Sequence, residues 1–307
     1  MKLTNLKGYP ESIVRALQHD PYSKEGSDYT ASQMPNSPRQ ILLSNRHEDE
    51  LVEDVENQVW SLLGTGFHHV LEAAGDDGAL LEERIHLDVG GRKFSGAMDH
   101  YKDGMITDYK VTSAMTKIYG SRLPEWTIQL NMLAHLVRSA GHEVTGIQII
   151  ALYRDWSEMK ALQQNDYPQK IIEIIPMELW SPDYCTEWLE KRIADLKYYE
   201  GVEDNDLPEC SPEEMWEKPT TYAIKKKGRK SAVRVLDSLS DIETYAIQKG
   251  IKTAGEWLGG HSLETRDGER TRCKRYCAAA PFCNQWLDHS EAHVWALKQK
   301  EEKNETP

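Results

Sequence analysis

An aspartate and a lysine two residues apart sit in the apolar stretch ITDYKVT, residues 106–112. Side chains alternate along a strand, so Asp108 and Lys110 project from one face, roughly 7 Å apart. Asp99 lies upstream, in GAMDHYKDGM. The Asp103-Gly104 pair between them is a strong two-residue hairpin signal. With those two residues as the loop, Lys102 faces Met105, Tyr101 faces Ile106 and Asp99 faces Asp108. Carboxylates directly across a ladder repel, and a fold tolerates them when a cation sits between. Hard oxygen donors at one point suit Mg²⁺ or Mn²⁺. Lys110 could orient or deprotonate an attacking water and could stabilise charge developing on a phosphate. The chemistry such a group would support is metal-assisted phosphodiester hydrolysis.

A second cluster is made of thiols. RCKRYCAAAPFCNQW carries Cys273, Cys277 and Cys283, three of the five cysteines within eleven residues. Their spacing lets thiolates converge on one metal, though it is not the two-residue spacing of a zinc knuckle. Cys210, in LPECSPEEMW, is the candidate fourth ligand. Cys185 falls inside a predicted helix and reads as a small core residue. Trp286 reads as packing rather than as a base-stacking ring.

These groups need elements to hold them. Leu51, Val55, Val59, Leu62, Leu63, Phe67, Val70 and Leu71 recur at three- and four-residue steps, which predicts a helix over about 47–72. Gly64 and Gly66 interrupt it, each costing about 1 kcal/mol against alanine, which suggests that some group approaches closely there. Strands are predicted over 80–89, 92–101 and 105–112, joined at Gly90-Gly91 and Asp103-Gly104. Pro124 opens a helix, 144–153 is a branched-rich buried strand, and 170–175 is another strand. Ser181-Pro182 starts a helix reaching about Tyr199. Ahead of all this, a short helix over 10–19 is followed by loop. Beyond Gly201 the composition turns acidic and turn-rich. Ser211 to Glu214 has the capping-box form and predicts a short helix. A hairpin around Gly228 and a helix over 240–250 follow.

The chain has 307 residues, 39% hydrophobic, enough for a real core. Its 37 basic against 50 acidic residues leave a net charge of −13. That argues against a protein that coats nucleic acid indiscriminately, but permits one local basic groove. Candidate grooves are KKKGRK at 225–230 and the stretch holding Arg270, Arg272, Lys274 and Arg275. No apolar run is long enough to span a membrane, and MKLTNLKGYPES lacks the apolar stretch of a signal peptide. The expectation is a soluble, cytoplasmic chain.

GAMD followed by ITDYK resembles the core motif of the PD-(D/E)XK nuclease superfamily. Residue 98 is Met where that motif often has Pro. GTGFHHVLE (64–72) is similar to the helical motif of its RecB-like exonuclease branch, and EWTIQLNML (125–133) to the branch's glutamine motif. The resemblance implies His68 as a metal ligand with Asp99 and Asp108, and Gln129 as a residue that holds the site or the DNA. Glu82, Glu83 and Glu125 are further acids near that shell. The glutamine motif usually ends in tyrosine; here that position is Leu133. The cysteine tail is similar to that of CRISPR-associated exonucleases carrying a [4Fe–4S] cluster. There the distant cysteine precedes the nuclease core, whereas Cys210 follows it, so Zn²⁺ stays open as the alternative.

The expected fold class is α/β, a central mixed sheet flanked by helices with a restriction-endonuclease-like core and a Cys-containing C-terminal extension. Residues 1–200 would be the nuclease core and 201–307 the extension. The expected activity is a Mg²⁺- or Mn²⁺-dependent DNA exonuclease acting on ends or single strands, in a recombination, repair or phage context that would supply protein partners. The alternatives are an endonuclease, and a DNA-binding or assembly module on the same fold with a weakened site.

Overall fold

The computed structural model describes residues 2–19, 24–289 and 292, and the chain divides after Pro208 into two units. In the first unit β1 (Lys2–Thr4) leads to α1 (Glu11–Gln18), β2 (Tyr29–Thr30), α2 (Pro38–Arg46), β3 (Val52–Asp54) and α3 (Val55–Ala74). Then come β4 (Leu80–Val89), β5 (Arg92–Lys102), β6 (Met105–Thr112), α4 (Ala114–Tyr119) and α5 (Leu123–Ser139). The unit closes with β7 (Gly146–Tyr153), α6 (Glu158–Gln163), β8 (Ile172–Pro176) and α7 (Pro182–Tyr199).

Six of these strands form one mixed sheet flanked by helices. β4 runs antiparallel along the whole of β5, from Leu80 opposite Tyr101 to Val89 opposite Arg92. The other edge of β5 is shared. Its start pairs with β2 at Phe94 and Ser95, and its end pairs with β6 at His100, Tyr101 and Lys102. β6 continues parallel to β7, and β7 pairs antiparallel with β8. The Asp103-Gly104 loop has positive φ at both residues, +49° and +81°, as a twisted two-residue hairpin requires. It sets the expected register, Lys102 opposite Met105 and Tyr101 opposite Ile106.

α5 packs across β4 to β7 and against α7. Its inward stripe of Leu130, Leu133, Leu136 and Val137 is buried with Phe94, Met98, Ile106 and Ile149 of the sheet. Gly96 on β5 is where this helix comes closest. A Cβ there would lie 2.5 Å from Leu133 Cδ2, 2.9 Å from Leu136 Cδ1 and 3.0 Å from Ala31 Cβ.

Several local expectations are corrected. The helix expected from about residue 47 begins at Val55, because Val52–Asp54 pairs with β1 instead. Asp54 then caps α3 through Glu56 N–H while its other oxygen accepts from Thr4 and the amide of Leu6. Gly64 and Gly66 have nothing within 4 Å of a Cβ placed on them, so among the described residues none approaches there. Residues 28–46, expected as loop, contain β2 and α2; Ser37 caps α2 and Pro38 opens it, the same Ser-Pro signal that starts α7. The capping box at Ser211 forms reciprocally with Glu214 at 2.8 and 3.2 Å. It supports one turn and no helix, because Trp216 follows at φ +50°.

In the second unit β9 (Glu217–Lys218) pairs with β13 (Glu269–Arg270). β10 (Thr221–Lys226) is the middle of a three-stranded sheet, between β11 (Arg234–Leu236) and β12 (His261–Arg266). α8 (Leu239–Gln248) covers it, burying Ile224 against Ile242 and Ala246. α9 (Thr271–Arg275) and α10 (Asn284–Leu287) carry or flank the cysteines. Among the described residues no helix is long and apolar enough to cross a membrane.

Candidate active site

The site lies where β5 and β6 part. Their ladder runs to His100 opposite Thr107 and stops one pair short of Asp99 and Asp108. Past that point β2 takes the edge of β5. The amide of Tyr109 donates instead to Asp99 Oδ2 at 2.7 Å. The same level is irregular on the other side. β4 pairs with β5 at Leu81 and at Glu83, but the residue between them, Glu82, leaves the ladder with φ +49°. A non-glycine backbone in that region costs about 1–3 kcal/mol and persists where surrounding structure enforces it.

His68 of α3 meets these acids. Its Nδ1 is 3.3 Å from Glu82 Oε1 and 3.5 Å from Asp99 Oδ1, and its Nε2 is 3.0 Å from the carbonyl of Tyr109. The ligand atoms of His68, Glu82 and Asp99 all lie within 4.8 Å of one another. Burial alone would lower the His68 pKa. The Glu82 hydrogen bond and the charges of Asp99 and Glu82 outweigh it and raise the group to about 9. An imidazolium there donates from both nitrogens and stands in the place a cation would take. Burial, then the charge of Asp108, pushes Asp99 up to about 7, against the lowering pull of Lys110 and His68. Glu82 is the acid that joins this group. Glu83 is exposed on the neighbouring position.

Asp108 is not in that group of three. Its carboxylate turns to Lys110, whose Nζ lies 3.0 Å from Oδ1 and 2.7 Å from Oδ2, and Gln129 Nε2 donates to Oδ1 at 3.1 Å. Oδ2 is buried and has no well-aligned hydrogen bond. Burial would lower the Lys110 pKa, but Asp108 and Asp99 raise it overall. Lys110 is therefore held as an ammonium, which suits orienting water and stabilising phosphate charge and does not suit proton abstraction. Glu125, a further candidate acid, is instead paired with Arg122 at 2.5 Å. Leu133 is buried against Gly96.

In the second unit Cys273 lies within electrostatic reach of Cys277, Cys210 and Cys283. Burial and the neighbouring Cys277, Cys210 and Cys283 push the Cys273 thiol up to about 12, and Cys277 rises to about 11. Gln285 fixes Cys210 from both sides, accepting from its amide at 2.8 Å and donating to its carbonyl at 2.9 Å. Four thiols are by type a donor set for zinc or an iron–sulfur cluster, but among the described residues only His68, Glu82 and Asp99 bring ligand atoms within 4.8 Å of one another. Cys185, in the first unit, is buried on α7, with its thiol on Asn131 O at 3.7 Å. Trp286 is buried, in keeping with packing. The basic stretch beside the cluster is largely compensated: Arg270 pairs with Glu217, and Lys274 and Arg275 both pair with Glu269. Arg272 is buried over the Trp216 ring. Lys226 to Lys230 is exposed.

No family model and no curated protein matches this chain. Solved structures do. The protein SSO0001 is 18% identical over 59% of this chain and 83% of its own, with a TM-score of 0.41. A candidate exonuclease from Eubacterium rectale is 20% identical over 44% of this chain and 53% of its own, at 0.27. The alkaline exonuclease of Laribacter hongkongensis is 12% identical over 55% of this chain and 89% of its own, at 0.32. All three scores lie below 0.5, and function must come from the site's own residues.

Proposed function

We propose that the first unit is a metal-dependent DNA nuclease that hydrolyses phosphodiester bonds, acting as an exonuclease on ends or single strands. The observation that carries this is the meeting of His68, Glu82 and Asp99 at ligand distances, next to a lysine held as an ammonium by Asp108. Glu82, Asp99 and Asp108 put three carboxylates at one fork, Asp108 buried and Glu82 partly exposed, compensated by His68 and Lys110 alone among the contacts described above. Such a donor set fits a hard divalent ion.

His68, Glu82 and Asp99 would hold Mg²⁺ or Mn²⁺, with Asp108 Oδ2 as the further oxygen. The bound ion supplies a lowered water pKa and polarisation of the phosphoryl oxygen. The chain's own residues do the rest. Lys110 orients the attacking water and offsets charge growing on the phosphate. Asp108 holds Lys110 in place, and Gln129 holds Asp108. The peptide amide of Tyr109 fixes the Asp99 carboxylate, which leaves its Oδ1 toward His68.

In the second unit the four cysteines would hold a [4Fe–4S] cluster, or Zn²⁺, as a staple for the fold. Visible colour in protein purified without oxygen, with iron and zinc counted by elemental analysis, decides between them. The nuclease reading is tested by incubating wild type and Lys110→Ala with Mn²⁺ and labelled linear or closed circular DNA. Cleavage of linear DNA that is lost in the variant is expected. Cleavage of the closed circle would make the enzyme an endonuclease, and no cleavage of either would leave a DNA-binding module.

A further inference from the structure

Trp60 is 56% exposed on α3, an unusual place for the largest apolar side chain. It is not bare on every side. The guanidinium carbon of Arg154 sits 4.5 Å from the centre of its ring. Arg154 follows β7 directly and is anchored by its amide, which donates to Thr112 O at the end of β6. The neighbouring carboxylate, Asp155, is occupied by the Ser113 hydroxyl and the Ala114 amide. The Arg154 guanidinium makes no hydrogen bond or close ion pair among the described residues, although its charge acts on Asp155.

Trp60, Gly64 and His68 follow one another at four-residue steps along α3, so they line one side of the helix. Gly64 is the midpoint, and a Cβ there would meet nothing within 4 Å. An open strip thus leads from the ring of Trp60 to the imidazole of His68, about 12 Å along the helix axis. Its far end carries an aromatic face beside a guanidinium that makes no hydrogen bond among the described residues, the combination that takes a base by stacking and a phosphate by paired hydrogen bonds.

We infer that Trp60 and Arg154 form a subsite for single-stranded DNA, holding a nucleotide that flanks the reacting one while Gly64 leaves room for the strand between. This rests on the nuclease reading above and adds to it how the strand is held. Stacking of this kind tolerates any base, so the subsite sets strand type and position and not sequence.

The test uses Trp60→Ala and Arg154→Ala with three readouts. Binding of a labelled single-stranded oligonucleotide is measured in EDTA; each variant should weaken it about tenfold or more. Cleavage of the same oligonucleotide with Mn²⁺ should show that loss in KM with kcat little changed. Hydrolysis of bis(p-nitrophenyl) phosphate, too small to span from His68 to Trp60, should stay at the wild-type rate and show that both variants are folded. An abasic residue walked along the oligonucleotide should weaken binding to wild type at one position, and that position should lose its effect in Trp60→Ala. Wild-type affinity in both variants, or an abasic scan unchanged by Trp60→Ala, would overturn the subsite, leaving Trp60 to cover some other partner. A wild type that binds through Trp60 but cleaves neither substrate would count against the nuclease reading alone.

Discussion

The amide of Tyr109 donates to the side chain of Asp99, at 2.7 Å, where an uninterrupted ladder would use a backbone carbonyl. That bond lies just past the last pair of β5 with β6 and fixes a carboxylate in the fork that opens. Every other group of the site is arranged around it: Glu82 from the strand on one side, Asp108 and Lys110 from the strand on the other, and His68 from above Tyr109.

Lys110 is the residue whose loss should stop chemistry without stopping binding. Lys110→Ala should lower the rate of DNA cleavage by about 10²–10³-fold, while affinity for labelled DNA in EDTA changes little. Loss of both together would show that Lys110 mainly maintains the fold.

Glu82 and Glu83 are adjacent in sequence but differ in contacts, so they should differ in effect. Glu82→Gln should weaken Mn²⁺ binding about tenfold or more, measured by calorimetry, and Glu83→Gln should not. Equal effects would mean that the kink at Glu82 serves the sheet alone.

The site's titration should couple to metal and pH with a definite sign. Asp99 rises from 3.8 to about 7 and His68 from 6.5 to about 9 on folding. Both bind protons more tightly folded than unfolded, so metal-free stability falls as pH rises, first through the Asp99 range from about 4 to 7 and then through the His68 range from 6.5 to about 9. Ligands must lose those protons to bind an ion, so Mn²⁺ affinity should climb from pH 5 to 9. Thermal melting with and without Mn²⁺ across that range should give a stabilisation that grows with pH. A stabilisation that shrinks with pH would contradict the ligand assignment.

The cysteines should separate into two kinds. Cys210→Ala, Cys273→Ala, Cys277→Ala and Cys283→Ala should each reduce bound iron or zinc and destabilise the second unit, as loss of a structural metal does. Cys185→Ala should keep the full metal content, read by elemental analysis. Gln285→Ala should resemble a milder Cys210 variant, because the amide that places Cys210 is gone.

Gly96 tests the packing under the site. Gly96→Ala drives a methyl into Leu133, Leu136 and Ala31 and should destabilise by about 1–3 kcal/mol, measured by chemical denaturation. Leu133→Ala in that background should recover part of the loss, because it removes the nearest contact.

Much of this protein is local in origin and was legible before any tertiary contact. The Asp103-Gly104 loop sets the β5–β6 register, alternation puts Lys110 beside Asp108, and Ser181-Pro182 starts α7. Those are short-range rules of turn and strand geometry. The Ser37-Pro38 start of α2 was equally local but lay in a polar stretch without a clear period, and the single turn after Ser211 was cut short by the backbone at Trp216.

Other features depend on where separate segments end up, and sequence spacing does not encode that. Two adjacent glutamates are indistinguishable by type, and only the parting of the strands and the φ of +49° at Glu82 decide which one turns toward His68. Cys210 is held on both sides by the side-chain amide of Gln285, 75 residues away. Trp60 meets Arg154 because α3 crosses β6. Local chemistry determined which groups this chain carries and how neighbours are spaced; the opening of a ladder and the crossing of a helix decided which of them share a site, since those depend on the summed packing of the whole sheet.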